Sequence, residues 1–221
     1  MRGCLKLSIE KGQTCPLCGT AEAAFYHRDK RRNYYQCRQC QLVFVPSRYF
    51  LTPAEEKTQY DWHENNPEDE GYRKFLGRLF TPLQSYLQPG SDGLDFGSGP
   101  GPTLSLMLAE AGHRMAIYDL FYATDTAVFN QQYDFITATE VLEHLRQPQQ
   151  EWDRWLELLR PGGVLGVMTK LVYGRSAFAT WHYKNDPTHI CFYSTDTFNW
   201  AAQHWGLTIV FAEKDVIIFR K

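Results

Sequence analysis

Leu94-Asp95-Phe96-Gly97-Ser98-Gly99-Pro100-Gly101-Pro102 is a short apolar run followed at once by three glycines. The run reads as a buried strand, and the glycines as a turn into a helix that begins near Pro102. Strand, glycine loop and helix in that order put the loop at the carboxyl end of a strand, where open α/β sheets bind ligands. Two loop chemistries do not fit. A dinucleotide fingerprint, Gly-x-Gly-x-x-Gly, asks for glycine where this chain has Pro102, and no Gly-Lys-Ser/Thr follows for a Walker loop. What remains is a backbone carrying only small side chains, able to lie flat beneath a ligand. Asp95 stands beside it, and a carboxylate there suits a cation better than a pyrophosphate.

The surrounding pattern alternates strands and helices. A helix over Thr103–Ala111 closes at Gly112, and a strand over Met115–Tyr118 ends at Asp119. Further strands are predicted at Phe135–Ala138 and Val164–Thr169, the latter entered through a Pro161-Gly162-Gly163 turn, with a helix over Pro148–Leu159 between them. Ser194 or Thr195 caps a helix over Thr195–Trp205, and Leu207–Ala212 with Val216–Arg220 forms a terminal hairpin. Upstream, Thr52-Pro53-Ala54-Glu55 is a helix start. A second helix over Glu70–Leu87 carries Phe75, Leu76, Leu79, Leu83 and Leu87 as its apolar stripe. Repeated βα units predict an α/β, doubly wound, mostly parallel sheet.

Asp119 lies eighteen residues after Gly101, where an acidic side chain can accept both hydroxyls of a ribose. A cationic amino acid at the glycines and a ribose at Asp119 describe S-adenosylmethionine (SAM). Over residues 53–221 the sequence resembles class I SAM-dependent methyltransferases of the UbiG/UbiE-like, type 11/12 kind, with their Rossmann-like sheet. "LDFGSGPG" matches their first motif, Asp119 in "AIYD" the acidic end of their second strand, and "YDFITATEVLEHL" their fourth-strand motif. "LLRPGGVLGVMT" matches their fifth-strand motif, and "DPTHICFYSTDTFNWAAQHWG" is similar to their His-containing segment before the last helix. The resemblance implies donor contacts from Asp95, Gly97, Ser98, Gly99 and Gly101. It implies further contacts from Asp119, Leu120, Phe121, Thr139 and Glu140. From the polar, aromatic lid segment, Tyr60 and His63 are expected to touch donor or acceptor, and Asn65 lies in the same segment. The chain departs from the family after Asp119. Only fourteen residues reach Tyr133, where relatives fit a helix and a third strand, so Asp125, the backbone at 123–126, or Phe121 and Tyr122 would have to meet the adenine.

Methyl transfer needs alignment and, for a protonated acceptor, a base. His144, His189 and His182 are the catalytic candidates, with His144 expected on the same helical face as Glu140. Glu143 reads as a solvated helix charge, and Asp186-Pro187 as a turn. Two alternatives stay open for the later segment: His182, Asp186 and His189 as a metal site, and Trp181, Tyr183, Phe192 and Tyr193 as either an aromatic pocket or plain core.

Near the N-terminus, Cys15-Pro16-Leu17-Cys18 and Cys37-Arg38-Gln39-Cys40 are two Cys-x-x-Cys knuckles. Two knuckles complete a tetrahedral S4 site, which predicts a zinc-ribbon-like module holding one structural zinc. An iron S4 centre and a dithiol redox pair are the rivals. Strands over Ala24–His27 and Tyr34–Cys37 flank a turn bearing Arg28, Lys30, Arg31 and Arg32. That basic, aromatic turn suits an RNA or another anion, or is simply the exposed charge of a small metal-dependent fold. Cys4 and Cys191 read as free thiols.

The 221 residues include 43% hydrophobic and 22% charged side chains, with a net charge of -2. Residues 1–50 hold nine Lys or Arg against three Asp or Glu, so a basic head precedes an acidic body. No apolar run has the length of a membrane span and no signal-peptide pattern opens the chain, which predicts a cytoplasmic protein without a membrane partner. The expected organisation is a Cys4 module at 1–50, a helical lid at 51–92 and a SAM-binding domain at 93–221. The expected function is methyl transfer from SAM to a small-molecule acceptor. An RNA or protein methyltransferase that grips its substrate through the ribbon, and a non-catalytic SAM-binding module, are the alternatives.

Overall fold

A computed structural model describes residues 13–62 and 65–221, so Cys4 and His63 lie outside the described residues. The first strands, β1 (Ala23–Arg28) and β2 (Asn33–Cys37), form an antiparallel hairpin, and β3 (Val43–Phe44) pairs with β2. Helix α1 (Pro53–Tyr60) starts at the expected place. Thr52 accepts the Glu55 amide, and the Glu55 carboxylate accepts the Thr52 amide in return, satisfying two amides that a helix start leaves bare. Helix α2 (Glu70–Gln84) is capped by Asp69 and buries Leu76, Leu79 and Leu83. Burial of three leucines contributes roughly 5–9 kcal/mol to its docking.

The body alternates as predicted: β4 (Asp92–Phe96), α3 (Thr103–Glu110), β5 (Arg114–Tyr118), β6 (Tyr133–Thr139), α4 (Pro148–Leu158) and β7 (Leu159–Met168). A short helix α5 (Arg175–Thr180), β8 (Cys191–Phe192), α6 (Thr195–Trp205), β9 (Thr208–Glu213) and β10 (Val216–Arg220) complete the chain. The main sheet runs in the order β5-β4-β6-β7-β10-β9. Strands β5, β4, β6 and β7 are parallel, while the terminal hairpin adds two antiparallel strands. From β4 the chain moves to β5 on one side and returns to β6 on the other. That reversal opens a crevice at the carboxyl end of β4. Helix α2 lies close on the sheet: a Cβ at Gly166 of β7 would come within 2.9 Å of a Leu79 methyl.

Pro161-Gly162-Gly163 makes its turn inside β7 rather than ahead of it: Gly162 has φ of +77°, and the pairing with β6 jumps from Leu159 to Val164. The Gly162 amide donates to the Lys221 carbonyl and the Lys221 amide to the Gly163 carbonyl, tying the turn to the chain's last residue. The shortened stretch after Asp119 holds a bridge between Asp119 and Ala123 and one 3-10 turn over Thr126–Asn130, with Asp125 as its cap. No strand forms there, and β5 is the sheet edge. The small sheet has the order β1-β2-β3-β8, so the strand at 191–192, far along the chain, completes the N-terminal hairpin's sheet.

Candidate functional site

A cleft of about 450 Å³ lies at the carboxyl ends of β4, β5 and β6, a size suited to a small molecule. Its floor is the glycine loop. Gly97 and Gly99 have φ of +77° and +65°, a region where side chains are strained. A Cβ at Gly97 would meet a Val141 methyl at 2.3 Å. The Gly97 and Ser98 amides donate to the Tyr118 carbonyl at 2.7 and 3.1 Å, fastening the loop to β5. Ser98, buried, has a hydroxyl with no partner among the described residues.

Asp119, just past β5, organises this end. One carboxylate oxygen accepts the Gly99 amide at 2.9 Å, and the other accepts the Phe121 and Tyr122 amides at 2.8 and 3.1 Å. A carboxylate has about four acceptor positions, so three amides leave capacity for a hydroxyl. Leu120, Phe121 and Tyr122 line the wall beyond it, whereas Asp125 does not reach the cleft.

Asp95 is buried at the end of β4 and accepts Thr137 Oγ1 at 2.8 Å. Burial pushes its pKa up to about 6. Thr139 and Glu140 follow at the end of β6 and also line the cleft. Glu140 has φ of +53°, and one of its carboxylate oxygens is buried without a partner. Burial, then the nearby Glu143 charge, raises its pKa.

Two expectations fail here. No helix joins Glu140 to His144; the backbone kinks at Glu140 and makes a single 3-10 turn over Leu142–His144. Glu143 is not a solvated charge but has no exposed surface at all. Its carboxylate accepts Thr169 Oγ1 at 2.8 Å and the Tyr183 hydroxyl, and burial raises its pKa. The kink turns this side chain inward, where a regular helix would have faced it outward.

His144, His189 and Asp186 also line the cleft. The imidazoles are 4.7 Å apart between centroids. His144 Nδ1 lies 3.3 Å from the Thr188 carbonyl, and His189 Nδ1 lies 2.7 Å from the Tyr183 carbonyl. A carbonyl only accepts, so both contacts assign the ring proton to Nδ1 and leave Nε2 the basic nitrogen. Burial, then the His144 charge, pushes the His189 pKa well down. Glu143, His144 and His189 bring three donor atoms within 4.8 Å of one another. His182 sits in a 3-10 turn over His182–Asn185 and does not line the cleft, so it joins neither the imidazole pair nor a metal set. Tyr183, Phe192 and Tyr193 are buried core, and neither they nor Trp181 line the cleft.

Residues upstream of β4 line the cleft as well. Tyr60 packs edge-on to His144 at 5.3 Å and against Phe121 at 5.7 Å. The Tyr122 hydroxyl donates to Asp61 at 2.6 Å, and Thr103 Oγ1 donates to the Asn65 carbonyl at 3.2 Å. A Cβ at Gly101 would lie 2.1 Å from that carbonyl, so the glycine is what admits Asn65. Glu56, not singled out from the sequence, accepts the Tyr60 hydroxyl at 3.0 Å and Arg146 at 2.6 Å. Its spacing of four from Tyr60 on α1 was the available signal.

The four clip cysteines converge. Cys15 and Cys40 sulfurs are 3.4 Å apart, as are those of Cys18 and Cys37, and all four lie within 4.8 Å. These separations exceed a disulfide bond and approach the ~3.8 Å edge of a tetrahedron with 2.3 Å metal-sulfur bonds. The Gln39 and Cys40 amides point at the Cys37 sulfur, as suits a thiolate. Cys191 is a buried thiol that donates to the Leu145 carbonyl. Of the basic turn, Arg28, Lys30 and Arg31 are exposed while Arg32 is buried.

A parallel sheet reversing at β4, a flat glycine loop and an acidic residue closing the next strand define a Rossmann-like fold of the class I methyltransferase type. The sequence profile described as "Methyltransferase domain" matches residues 63–211, more than half of the chain, which belongs to that family and is a SAM-dependent methyltransferase. No curated protein matches the sequence. Among solved structures, the fold is similar to 1,6-didemethyltoxoflavin-N1-methyltransferase from Burkholderia thailandensis, crystallised with 1,6-didemethyltoxoflavin and S-adenosylhomocysteine. That likeness has a TM-score of 0.58 at 15% identity and covers 90% of this chain and 99% of the other. A SAM-dependent methyltransferase from Archaeoglobus fulgidus aligns at a TM-score of 0.51 and 14% identity, over 67% of this chain and 94% of that one. No helix among the described residues is long and apolar enough to cross a membrane.

Proposed function

We propose that the cleft methylates a small-molecule acceptor, with the donor's amino acid and ribose over the glycine loop and the acceptor between Tyr60 and the two imidazoles. The observation that carries this reading is the composition of one cleft, whose lining brings the glycine loop and Asp119 together with Tyr60, His144, His189 and Asp186. SAM supplies a methyl group on a sulfonium, transferred in line to an acceptor lone pair as the carbon-sulfur bond breaks. Asp95 and Glu140 would face the cationic part of the donor, and Asp119, with one acceptor position left beyond its three amides, would accept a ribose hydroxyl. Gly97, Ser98, Gly99 and Gly101 keep the floor low. Leu120 and Phe121, which line the cleft next to Asp119, would flank the nucleoside, and Thr139 lies beside Glu140.

The acceptor's proton passes to Nε2 of His144. Its Nδ1 proton is held by the Thr188 carbonyl, and it is the less buried of the two rings. His189, whose charged form burial disfavours, is the poorer base and serves to pack and orient His144. The clip cysteines Cys15, Cys18, Cys37 and Cys40 hold one zinc. The alternative of an RNA gripped by the ribbon loses support because Arg32, and one nitrogen of Arg31, are bonded inside the fold.

Calorimetric titration with SAM and S-adenosylhomocysteine tests the donor site, and absence of binding by metal-replete protein would sink the assignment. Incubation with radiolabelled SAM and fractionated cell extract then reports the acceptor. Label in the small-molecule fraction is expected; label confined to RNA or protein would overturn the small-molecule reading.

A further inference from the structure

The turn between β1 and β2 reaches across to the segment that carries Asp186 and His189. Arg32 is 6% exposed and spends its guanidinium on that segment. One terminal nitrogen donates to the Lys184 and Asp186 carbonyls at 2.6 and 2.7 Å, and the other to the Pro187 carbonyl at 3.2 Å. Its Nε donates to the Tyr34 hydroxyl at 3.0 Å, which donates in turn to Asp29. Asp29 also accepts the Arg31 and Arg32 amides, fixing the turn, and Arg31 reaches the Asn185 carbonyl at 3.0 Å. Four consecutive carbonyls, 184–187, are therefore held by two arginines of the ribbon.

The far end of the same segment is held as well. Ile190 accepts the Val45 amide, and Cys191 and Phe192 add β8 to the ribbon's sheet. Between these anchors lie Asp186, whose carboxylate accepts the Thr188 amide and hydroxyl, and His189. Both side chains line the cleft. A row of carbonyls presents acceptors only, so it needs a donor with several directed N–H groups. Arginine's planar fork supplies five, whereas a lysine ammonium is a compact point donor.

We propose that the Cys4 ribbon is the scaffold of the cleft's acceptor end, and that Arg32 is the positioning residue through which it sets Asp186 and His189. The inference rests on reading the cleft as the methyl-transfer site. It gives the ribbon a role inside the enzyme, independent of any nucleic acid. The donor end, built on β4, β5 and β6, makes none of these bonds, so the two ends are separable by experiment.

The test compares wild-type protein with Arg32→Ala, Arg32→Lys and an Arg28→Ala/Lys30→Ala control, all metal-loaded. Three readouts are taken: amide hydrogen exchange at residues 184–190, the proton titration of the His189 ring by NMR, and S-adenosylhomocysteine affinity. In Arg32→Ala, exchange at 184–190 is expected to quicken roughly tenfold or more. The His189 ring, released from its buried position, should titrate nearer the ordinary value of about 6.5. S-adenosylhomocysteine affinity should stay within about threefold, because the donor end is untouched. Arg32→Lys, which keeps the charge without the fork, should show the same pattern in weaker form. The control should match wild type in all three. Removing the metal from wild-type protein should loosen 184–190 as Arg32→Ala does. Unchanged exchange and an unchanged His189 titration in both Arg32 variants would overturn the inference. So would a loss of ligand affinity as large as the loss of protection, which would make Arg32 a general fold residue. Failure of wild-type protein to bind S-adenosylhomocysteine would instead overturn the functional reading, while the exchange and NMR comparisons still decide whether Arg32 sets this segment.

Discussion

Replacing Asp95 with asparagine should stabilise the free protein and weaken its hold on the donor. Asp95 is buried at the end of β4, accepts Thr137 Oγ1, and has its pKa pushed by burial from 3.8 to about 6. A carboxyl raised in this way binds more protons folded than unfolded between the two values. Stability therefore falls as pH rises through that window, and the penalty is fully present above about pH 6. At 1.36 kcal/mol per unit, the penalty is about 3 kcal/mol at pH 8 and roughly half that at pH 5. Asparagine carries no charge at either pH. It keeps an oxygen for Thr137 but loses an acceptor for the Ser105 amide, a cost of about 1 kcal/mol. The net gain is then about 2 kcal/mol at pH 8 and less than about 1 kcal/mol at pH 5. Urea unfolding of both proteins at the two pH values measures it directly. Titration with SAM should show at least a roughly tenfold loss of affinity, because the cationic ligand loses its buried counter-charge. An asparagine variant no more stable than wild type at pH 8, or a gain that fails to shrink at pH 5, would refute the idea of a desolvated charge at this position.

Gly97→Ala adds a methyl against Val141 at a positive φ and should cost roughly 2–4 kcal/mol by denaturant unfolding. Asp119→Ala strips the acceptor from the Gly99, Phe121 and Tyr122 amides; S-adenosylhomocysteine affinity should fall roughly a hundredfold and stability by about 2 kcal/mol, read by calorimetry and melting. Chelation of the ribbon metal should lower the melting temperature by roughly 10 °C, and elemental analysis of the untreated protein should return one zinc per chain. Glu140 has a raised pKa beside the donor position, so a cation arriving there draws the carboxyl toward its charged form. SAM binding near neutral pH should therefore release protons, visible as an enthalpy that changes with buffer ionisation heat, and its affinity should rise with pH toward the Glu140 pKa.

Local signals made much of this molecule legible. The strand-glycine-helix order announced the cleft floor, because a backbone that must turn at positive φ and admit a close neighbour has little choice but glycine. The Thr52 and Ser194 helix starts were readable for the same reason: each cap is satisfied within three residues. The cysteine clip was readable because its two knuckles are local even though their meeting is not. What stayed hidden depends on partners far along the chain. Pro161-Gly162-Gly163 has turn composition and turns at Gly162, yet Lys221 ties that turn into the middle of β7. Glu143 has the composition of a surface charge, yet the kink at Glu140 delivers it to Thr169 and Tyr183. Arg32 is one of four cations in a turn, and the Tyr34 hydroxyl is its one nearby side-chain acceptor. Its other acceptors are carbonyls about 150 residues along the chain, which carry no side-chain signature at all.

The same contrast explains how the cleft divides its labour. Donor-side groups sit on adjacent parallel strands, where the register between β4, β5 and β6 fixes Asp95, Asp119 and Glu140 together. A recurring ligand can be met by a recurring strand order. Acceptor-side groups come from a 3-10 turn, a loop and a lid helix, none of which has a ladder of its own to set its position. Such a wall must borrow rigidity, and here it does so twice: Glu143, whose carbonyl accepts the Ile190 amide, ties it to the main sheet, and Arg32 ties it to the ribbon. Both ties run through polar groups that are expensive to bury and costly to leave unpaired. A small change at either would shift His189 by more than its own size suggests, while leaving the glycine loop in place. On that reasoning, and on the proposed reading of the cleft, the ribbon and the kink at Glu140 are where acceptor preference can change without loss of the donor.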